Sequence, residues 1–352
     1  MTKKTFAVLI ALLTFVVGVA LARLSFTNSP AMPAGPEKKE FQANGYRLTG
    51  PYKHENLTIF LIHGPDQSGA PHFTSLEAAL ERNVVIVHET SDVNELAIEN
   101  VSRNEEVFVQ AGDIVKGGQQ DRVLAVDLIL PANSGQIPIS AFCVEHGRWS
   151  QRGSEQVGMF AESRQMIASK ELKMATKGDV SQARVWDEVS VAQDKLSGSV
   201  ATPVQSSVSR SSLQLALEND KVQESAAEYV NKLSSIVDAH SDVIGFVFAI
   251  NDKVNSADVY AATYLFKPFW LRLLKSAAIE AVAERPLNQK TEPVSITSAA
   301  EFLTASEQGA ETINQVTTRT HMLKRETEKS LFFETRDMEH SGIWIHRNYL
   351  MK

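Results

Sequence analysis

The stretch "VFVQAGDIVKGGQQDRVLAVDLIL", residues 107–130, sets the reading of the fold. Two β-branched apolar runs, Val107–Val109 and Val123–Leu130, flank a polar segment built around Gly117 and Gly118. Short apolar runs bounded by turn residues have strand length, and a glycine pair supplies the φ > 0 positions of a tight hairpin. The expectation is a hairpin with a two-residue turn at Gly117–Gly118, setting Lys116 against Gln119 and Asp113 against Arg122. Lys116, Gln119 and Asp121 would then share one face, and Asp113, Gln120 and Arg122 the other. Such a tip reads in two ways, as a solvated turn with weak surface ion pairs or as a polar binding surface. The lysine precedes the glycines and no helix follows, so the segment is not a phosphate-gripping loop.

Outward from this stretch the same pattern recurs. Leu57–Ile62, Val84–Val87 and Ile137–Val144 are further strand-like runs, and Thr74–Leu80 reads as a short helix capped by Ser75. From Glu155 to Leu196 the apolar spacing turns helical. The serine-rich 197–212 reads as a loop, Lys221–Ala239 as a helix, and Val243–Ile250 as a buried strand. Phe266, Phe269, Trp270, Leu273, Leu274, Ala277 and Ala281 mark a long amphipathic helix whose early turns Pro268 should kink. After Glu311, alternation at Leu331, Phe333, Ile343 and Ile345 predicts strands. The fold class expected is α+β, with a β-rich N-terminal part, a helical middle and a C-terminal β-meander.

Composition bounds the function. The 352 residues carry 35 Lys plus Arg against 42 Asp plus Glu, a formal charge of −7, with no dense basic run. No nucleic acid polymer is expected as a partner. A single cysteine, Cys143, excludes an intramolecular disulfide, and the nine histidines show no close metal-binding spacing, so neither a metal nor a cofactor is expected. Lys3 and Lys4, the apolar run 6–22 and the closing Ala20-Leu21-Ala22 form a signal-peptide pattern. Residues 1–22 are therefore expected to be a signal peptide, with retention as an N-terminal anchor the alternative, because the run lies at the lower edge of the ~17–25 residues that span a bilayer. The protein is expected to be exported, periplasmic or extracellular, touching membrane only through 6–22 if uncleaved. Residues 23–44 read as a linker and 45–352 as the main domain, with a division into two subdomains near 197–212 as an option.

A second polar cluster is "AFCVEHGRW", residues 141–149. In a strand, Ala141, Cys143 and Glu145 point one way, while Phe142, Val144 and His146 point the other. Cys143 reads as core, since a neighbouring acid raises a thiol pKa. Arg148 beside Trp149 can hold an anion and a ring. A G-x-S-x-G nucleophile elbow does not follow the His63-Gly64 turn, which argues against an α/β-hydrolase.

The segment from "VIVHE" at residue 85 through "GGQQDR" to "CVEHGRW" resembles the ARG and Rhodanese-Phosphatase-superfamily-associated protein domain family, whose pattern includes Gly-Gly-x-Gln-Asp-Arg and Cys-x-Glu-x-Gly-Arg-Trp segments. The resemblance covers residues 57–149 and returns at "GFVFAINDKVNSADVY", residues 245–260. It implies an uncharacterised family associated with ADP-ribose and NAD processing, and no established catalytic residue. It also implies that Gly117, Gly118, Gln120, Asp121, Arg122, Glu145, Arg148 and Trp149 form one surface; with Lys116, these residues are expected to bind a polar or anionic small molecule, nucleotide or ADP-ribose related. Paired acids there are compatible with acid–base chemistry as well as with binding alone. The alternative is a non-catalytic structural or interaction protein of the cell envelope.

Overall fold

A computed structural model describes residues 39–90, 92–147, 160–285 and 294–352. The signal segment, Arg148 and Trp149 lie outside the described residues. The N-terminal part is β-rich: β1 (Lys39–Ala43), β2 (Tyr46–His54), β3 (Leu57–His63), β4 (Thr74–Ser75), α1 (Leu76–Glu81), β5 (Val85–Glu89), β6 (Glu95–Asn100), β7 (Val107–Val109), β8 (Asp113–Gly117), β9 (Arg122–Leu124), β10 (Leu128–Leu130), β11 (Gln136–Cys143) and β12 (Phe160–Ile167). The middle is helical, with α2 (Lys170–Lys173), α3 (Gln182–Ser199), α4 (Leu213–Leu217) and α5 (Asp220–Leu233). The chain then forms β13 (Val243–Ile250), β14 (Lys253–Tyr260), α6 (Thr263–Phe266), α7 (Trp270–Ala283), α8 (Ile296–Ser306), β15 (Ala310–Gln315), β16 (Thr320–Glu326), β17 (Ser330–Asp337) and β18 (Ile343–Met351). This is an α+β fold with a C-terminal antiparallel meander. No described helix is long and apolar enough to cross a membrane.

Three sheets are present among the described residues. Nine strands run in the order β1-β2-β3-β13-β14-β18-β17-β16-β15, and six in the order β12-β8-β9-β11-β6-β5. β10, β7 and β4 form a small third sheet. All pairings are antiparallel except β4 with β7. The central strands of both large sheets are buried on two faces, whereas the edge strand β15 is exposed throughout. In the six-stranded sheet Ile114, Val123, Phe142 and Val144 join a core shared with the helices, while Val115, Leu124, Ile139 and Ala141 join a second core under α1. In β3, Leu57, Ile59 and Leu61 face the helical core, whereas Phe60 and Ile62 face a core covered by α8. Period-2 alternation with apolar residues at both phases is what a strand covered on both sides requires. Each large side chain so buried contributes about 1.5–3 kcal/mol.

Helix α7 sits in the shared core, burying Trp270, Leu273, Leu274, Ala277, Ala278 and Ala281. Pro268 falls in a 3₁₀ turn between α6 and α7, the irregularity its missing N–H demands. Ser75 caps α1, accepting from Ala78 N.

Several elements differ from the sequence expectations. The run Val123–Leu130 is two strands in two sheets, because the backbone turns at Ala125–Asp127 and the Asp127 carboxylate takes Ala111 N at 2.7 Å. Within the span expected to be helical, 160–167 is the strand β12, paired with β8. β1, paired with β2, occupies 39–43 of the segment read as linker. Of the serine-rich 197–212 read as a loop, residues 197–199 complete α3 and 201–212 are irregular.

The sheets are tied together by charges buried between them. His346 on β18 places Nδ1 2.8 Å from Asp127 Oδ2 and Nε2 3.0 Å from Asp258 Oδ1. Thr335 Oγ1 donates to Asp127 Oδ2 at 2.6 Å and Asn348 Nδ2 to Asp258 Oδ1 at 3.0 Å. All five side chains are buried. An imidazole donating to two carboxylates carries protons on both nitrogens. Burial works against that charge, but Asp127 and Asp258 outweigh it and raise the His346 pKa. Burial likewise opposes ionisation of Asp127, yet His346 and Lys177 hold its carboxyl well below the usual range.

Removing the bridge leaves two buried carboxylates with only Lys173 and Lys177 as nearby counter-charges and without the hydrogen bonds of the imidazole. His346→Leu is expected to lose about 3–5 kcal/mol of unfolding free energy in urea titrations; a loss below about 1 kcal/mol would mean that the network is solvated rather than buried.

Candidate functional site

The connection around Gly117 and Gly118 is longer than a two-residue turn. The β8–β9 register pairs Ile114 with Val123 and Val115 with Arg122, which leaves six residues, 116–121, between the last paired positions. Arg122 therefore faces Val115, and the expected Asp113–Arg122 pair does not form. Asp113 instead meets Arg272 of α7 at 2.5 Å, at a fully buried position where burial, only partly offset by that guanidinium, raises its pKa. Gly118 has φ +55°, and a Cβ there would run into Glu89 Oε1 and the Phe160 ring. Only glycine fits that position.

Gln120, Asp121, Arg122 and Glu145 are brought together, buried, and bonded to one another and to their surroundings. Asp121 takes Gly117 N at 3.0 Å and Ser212 Oγ at 3.2 Å. Glu145 accepts from Ser209 Oγ and lies 3.5 Å from Asp121 N. Arg122 donates to Gln120 O at 3.1 Å and stands 3.6 Å from Glu89, which also accepts from Gln119 N. Lys116, at the edge, pairs with Glu218 at 2.8 Å. The serine-rich stretch thus folds back to satisfy the acids of the loop. Two buried donors, Arg122 Nε and Gln120 Nε2, have no hydrogen-bond partner among the described residues. Cys143 lies opposite Arg122 in the strand register, and burial pushes its thiol pKa up. That is the setting of a packed thiol, not of a nucleophile.

A second region was not anticipated. The start of α2, the outer side of α3, the β13–β14 turn and the end of α7 enclose a basin of about 370 Å³. Its rim carries Lys195 paired with Glu284 and Lys170 paired with Glu171. Lys253 of the β13–β14 turn also lines it. Glu280 lines both this basin and a crevice of about 50 Å³ behind it, where Leu172, Leu196, Leu213 and Ile279 present apolar walls. Its Oε1 accepts from Lys170 N and its Oε2 from Asn255 Nδ2, both at 3.2 Å. Burial is the dominant influence on this carboxyl and, against the pull of Lys173 and Lys170, lifts its pKa to about 7.

The basin connects with the charges between the sheets. Lys173, which influences Glu280, has Nζ 3.9 Å from Asp258 Oδ2, the carboxylate held by His346. Nearby, Lys177 lies 3.4 Å from Asn348 Oδ1 and 4.1 Å above the Phe333 ring, and burial brings its pKa down to about 8. Asn255 Oδ1 is buried with no hydrogen-bond partner among the described residues. Turning that amide over would offer the oxygen to a protonated Glu280. One signal for Glu280 was present in the sequence: it stands three residues after Ala277 and seven after Leu273, inside the apolar stripe of α7.

A family model, the ARG and Rhodanese-Phosphatase-superfamily-associated Protein domain, matches residues 45–350. The chain belongs to this family. Comparisons with curated proteins and with solved structures gave no match. The family match takes in both the loop and the basin.

A carboxyl with a raised folded-state pKa holds its proton more tightly in the folded than in the unfolded chain. Glu280 thus contributes stability that is fully present below its unfolded pKa of ~4.3 and is lost as pH rises through about 7. The loss is on the order of 2–3 kcal/mol, the side facing the basin being screened by water. Urea unfolding at pH 5 and pH 8 should show Glu280→Gln losing less stability than the parent over this window. Parallel losses in the two proteins would mean that Glu280 titrates as an ordinary carboxyl.

Proposed function

We propose that this family member binds a polar small molecule in the basin floored by Glu280, with a short apolar arm of that ligand entering the crevice behind it. What carries the reading is the combination at one residue: a carboxyl with a pKa of about 7 that faces both a polar basin and an apolar crevice. A concave site with a few convergent polar groups and a perturbed acid is the usual form of a ligand or active site. Protonated, Glu280 donates to a ligand oxygen. Ionised, it accepts from an ammonium or hydroxyl. The paired lysines and acids of the rim suit a zwitterionic or hydroxyl-rich ligand better than a polyanion.

A second reading rests on the orphan donors of the loop. Arg122 Nε and Gln120 Nε2 would suit a carboxylate or phosphate oxygen, the anionic ligand that the sequence suggested for Lys116, Gly117, Gly118, Gln120, Asp121, Arg122 and Glu145. Against it, the acids of that loop are already engaged within the protein. Export through the N-terminal segment is part of the same proposal and rests on the dilysine, apolar run and A-x-A pattern alone.

A thermal-shift screen of sugars, amino acids, amines, nucleotides and ADP-ribose separates the two sites. The basin reading expects zwitterionic or hydroxylated hits whose shift weakens at least tenfold in apparent affinity in Glu280→Gln. Hits restricted to nucleotides and ADP-ribose, unchanged in Glu280→Gln, would overturn it in favour of the loop.

A further inference from the structure

Away from both regions, the end of β3 and the segment leading into β13 bring two imidazoles and a carboxylate together. His63, the last residue of β3, is buried and lies opposite Val243 and Arg47 in the strand register. Asp242 and His240 immediately precede β13. His63 Nδ1 is 2.8 Å from Asp242 Oδ1, and the rings of His63 and His240 meet edge to face with centroids 4.9 Å apart. One donor atom from each of the three residues lies within 4.8 Å of the other two. We propose that His63, His240 and Asp242 form a binding site for one divalent transition-metal ion of the zinc class.

The donor chemistry is that of an open three-ligand zinc site, two neutral imidazoles and one carboxylate, with the fourth position left to water or substrate. The outer partners are also in place. Thr49 Oγ1 is 2.8 Å from His63 Nε2, and Tyr52 Oη is 3.3 Å from His240 Nε2. A hydroxyl on the second nitrogen fixes the tautomer and orientation of a ligating imidazole. If Thr49 accepts from Nε2–H, His63 Nδ1 presents a lone pair toward Asp242, and a cation between the two resolves what is otherwise a repulsion. If Thr49 donates instead, Nδ1 carries the proton and binding a metal displaces it.

Arg47 completes the surroundings, with Nη2 2.7 Å from Asp242 Oδ2. It holds the oxygen not facing His63 and so sets the carboxylate's direction. Its positive charge opposes a second cation, which makes the site weaker than one without it. Ligands of a tetrahedral zinc stand about 3.4 Å apart, given bonds of about 2.0–2.2 Å. His63 Nδ1 and Asp242 Oδ1, 2.8 Å apart, therefore have to open by about half an ångström, while donors standing up to 4.8 Å apart have to close by about an ångström. The half-exposed Asp242 side chain, 46% accessible, has room to turn. Sequence spacing could not reveal the site, because His63 and Asp242 are 179 residues apart.

The test uses the full chain, stripped with chelator, dialysed against zinc chloride and washed, with zinc counted by mass spectrometry. About one equivalent per chain is expected, with a rise in melting temperature. His240→Ala and Asp242→Asn, checked for folding by circular dichroism, should retain less than a tenth of that zinc, whereas His321→Ala should keep it. Two variants are used because His63 is buried and its removal would disturb β3. No zinc on the parent chain, or the same equivalent on folded His240→Ala or Asp242→Asn, would overturn the proposal.

Discussion

The His346 ring stands between Asp127 and Asp258, which raise its pKa, and the rest of the molecule is arranged around that contact. Asp127 comes from the turn between β9 and β10, Asp258 from β14 and His346 from β18, so one side chain couples the β9–β10 turn to the nine-stranded sheet. A charged group taken out of water is costly unless every partner is present. Here Thr335, Asn348 and the Ala111 amide complete the set. The register of β14 against β18 follows, since sliding one strand by a single residue would turn Asp258 or His346 to the other face.

The same arrangement governs the basin. Lys173 lies between Asp258 and the region of Glu280, and α7 carries both Glu280 and the Arg272 that meets Asp113. Because helix and strands are locked by these contacts and by the apolar core, Glu280 is held against desolvating neighbours instead of turning out to water. A fixed, poorly solvated carboxyl is what raises its pKa, and a fixed position is also what a binding site needs. The GGQQDR loop plays a different part. Its Asp121 is engaged by Gly117 and Ser212, and the neighbouring Glu145 by Ser209, so that these acids dock the irregular 201–212 stretch onto the β8–β9 connection.

Fold class was legible because strand-length apolar runs and the α7 stripe are local patterns. Ser75 as a cap, Pro268 as an interruption and Cys143 as core all follow from single-residue chemistry. Other features depended on distant partners. Val123–Leu130 reads as one strand unless Asp127 is known to bind Ala111 and His346. β12 was hidden in a helical pattern because β8 pairs with it. The candidate loop was located by its glycines, but its burial was not, since Ser212, which bonds its Asp121, comes 91 residues later. Glu280, His346 and Asp258 share one visible trait, a charge at an apolar position of its element, which sequence alone does not distinguish from a solvated face.

A desolvated, fixed Glu280 is what makes the basin a site. Carbon-detected NMR titration of the full chain labelled at glutamate side-chain carboxyls, with Glu280→Gln used to assign the resonance, reads that position without reference to any ligand. The arrangement predicts a midpoint near 7 for Glu280. A midpoint at ~4.3, the value of a solvated glutamate, would contradict it and with it the basin as the functional site.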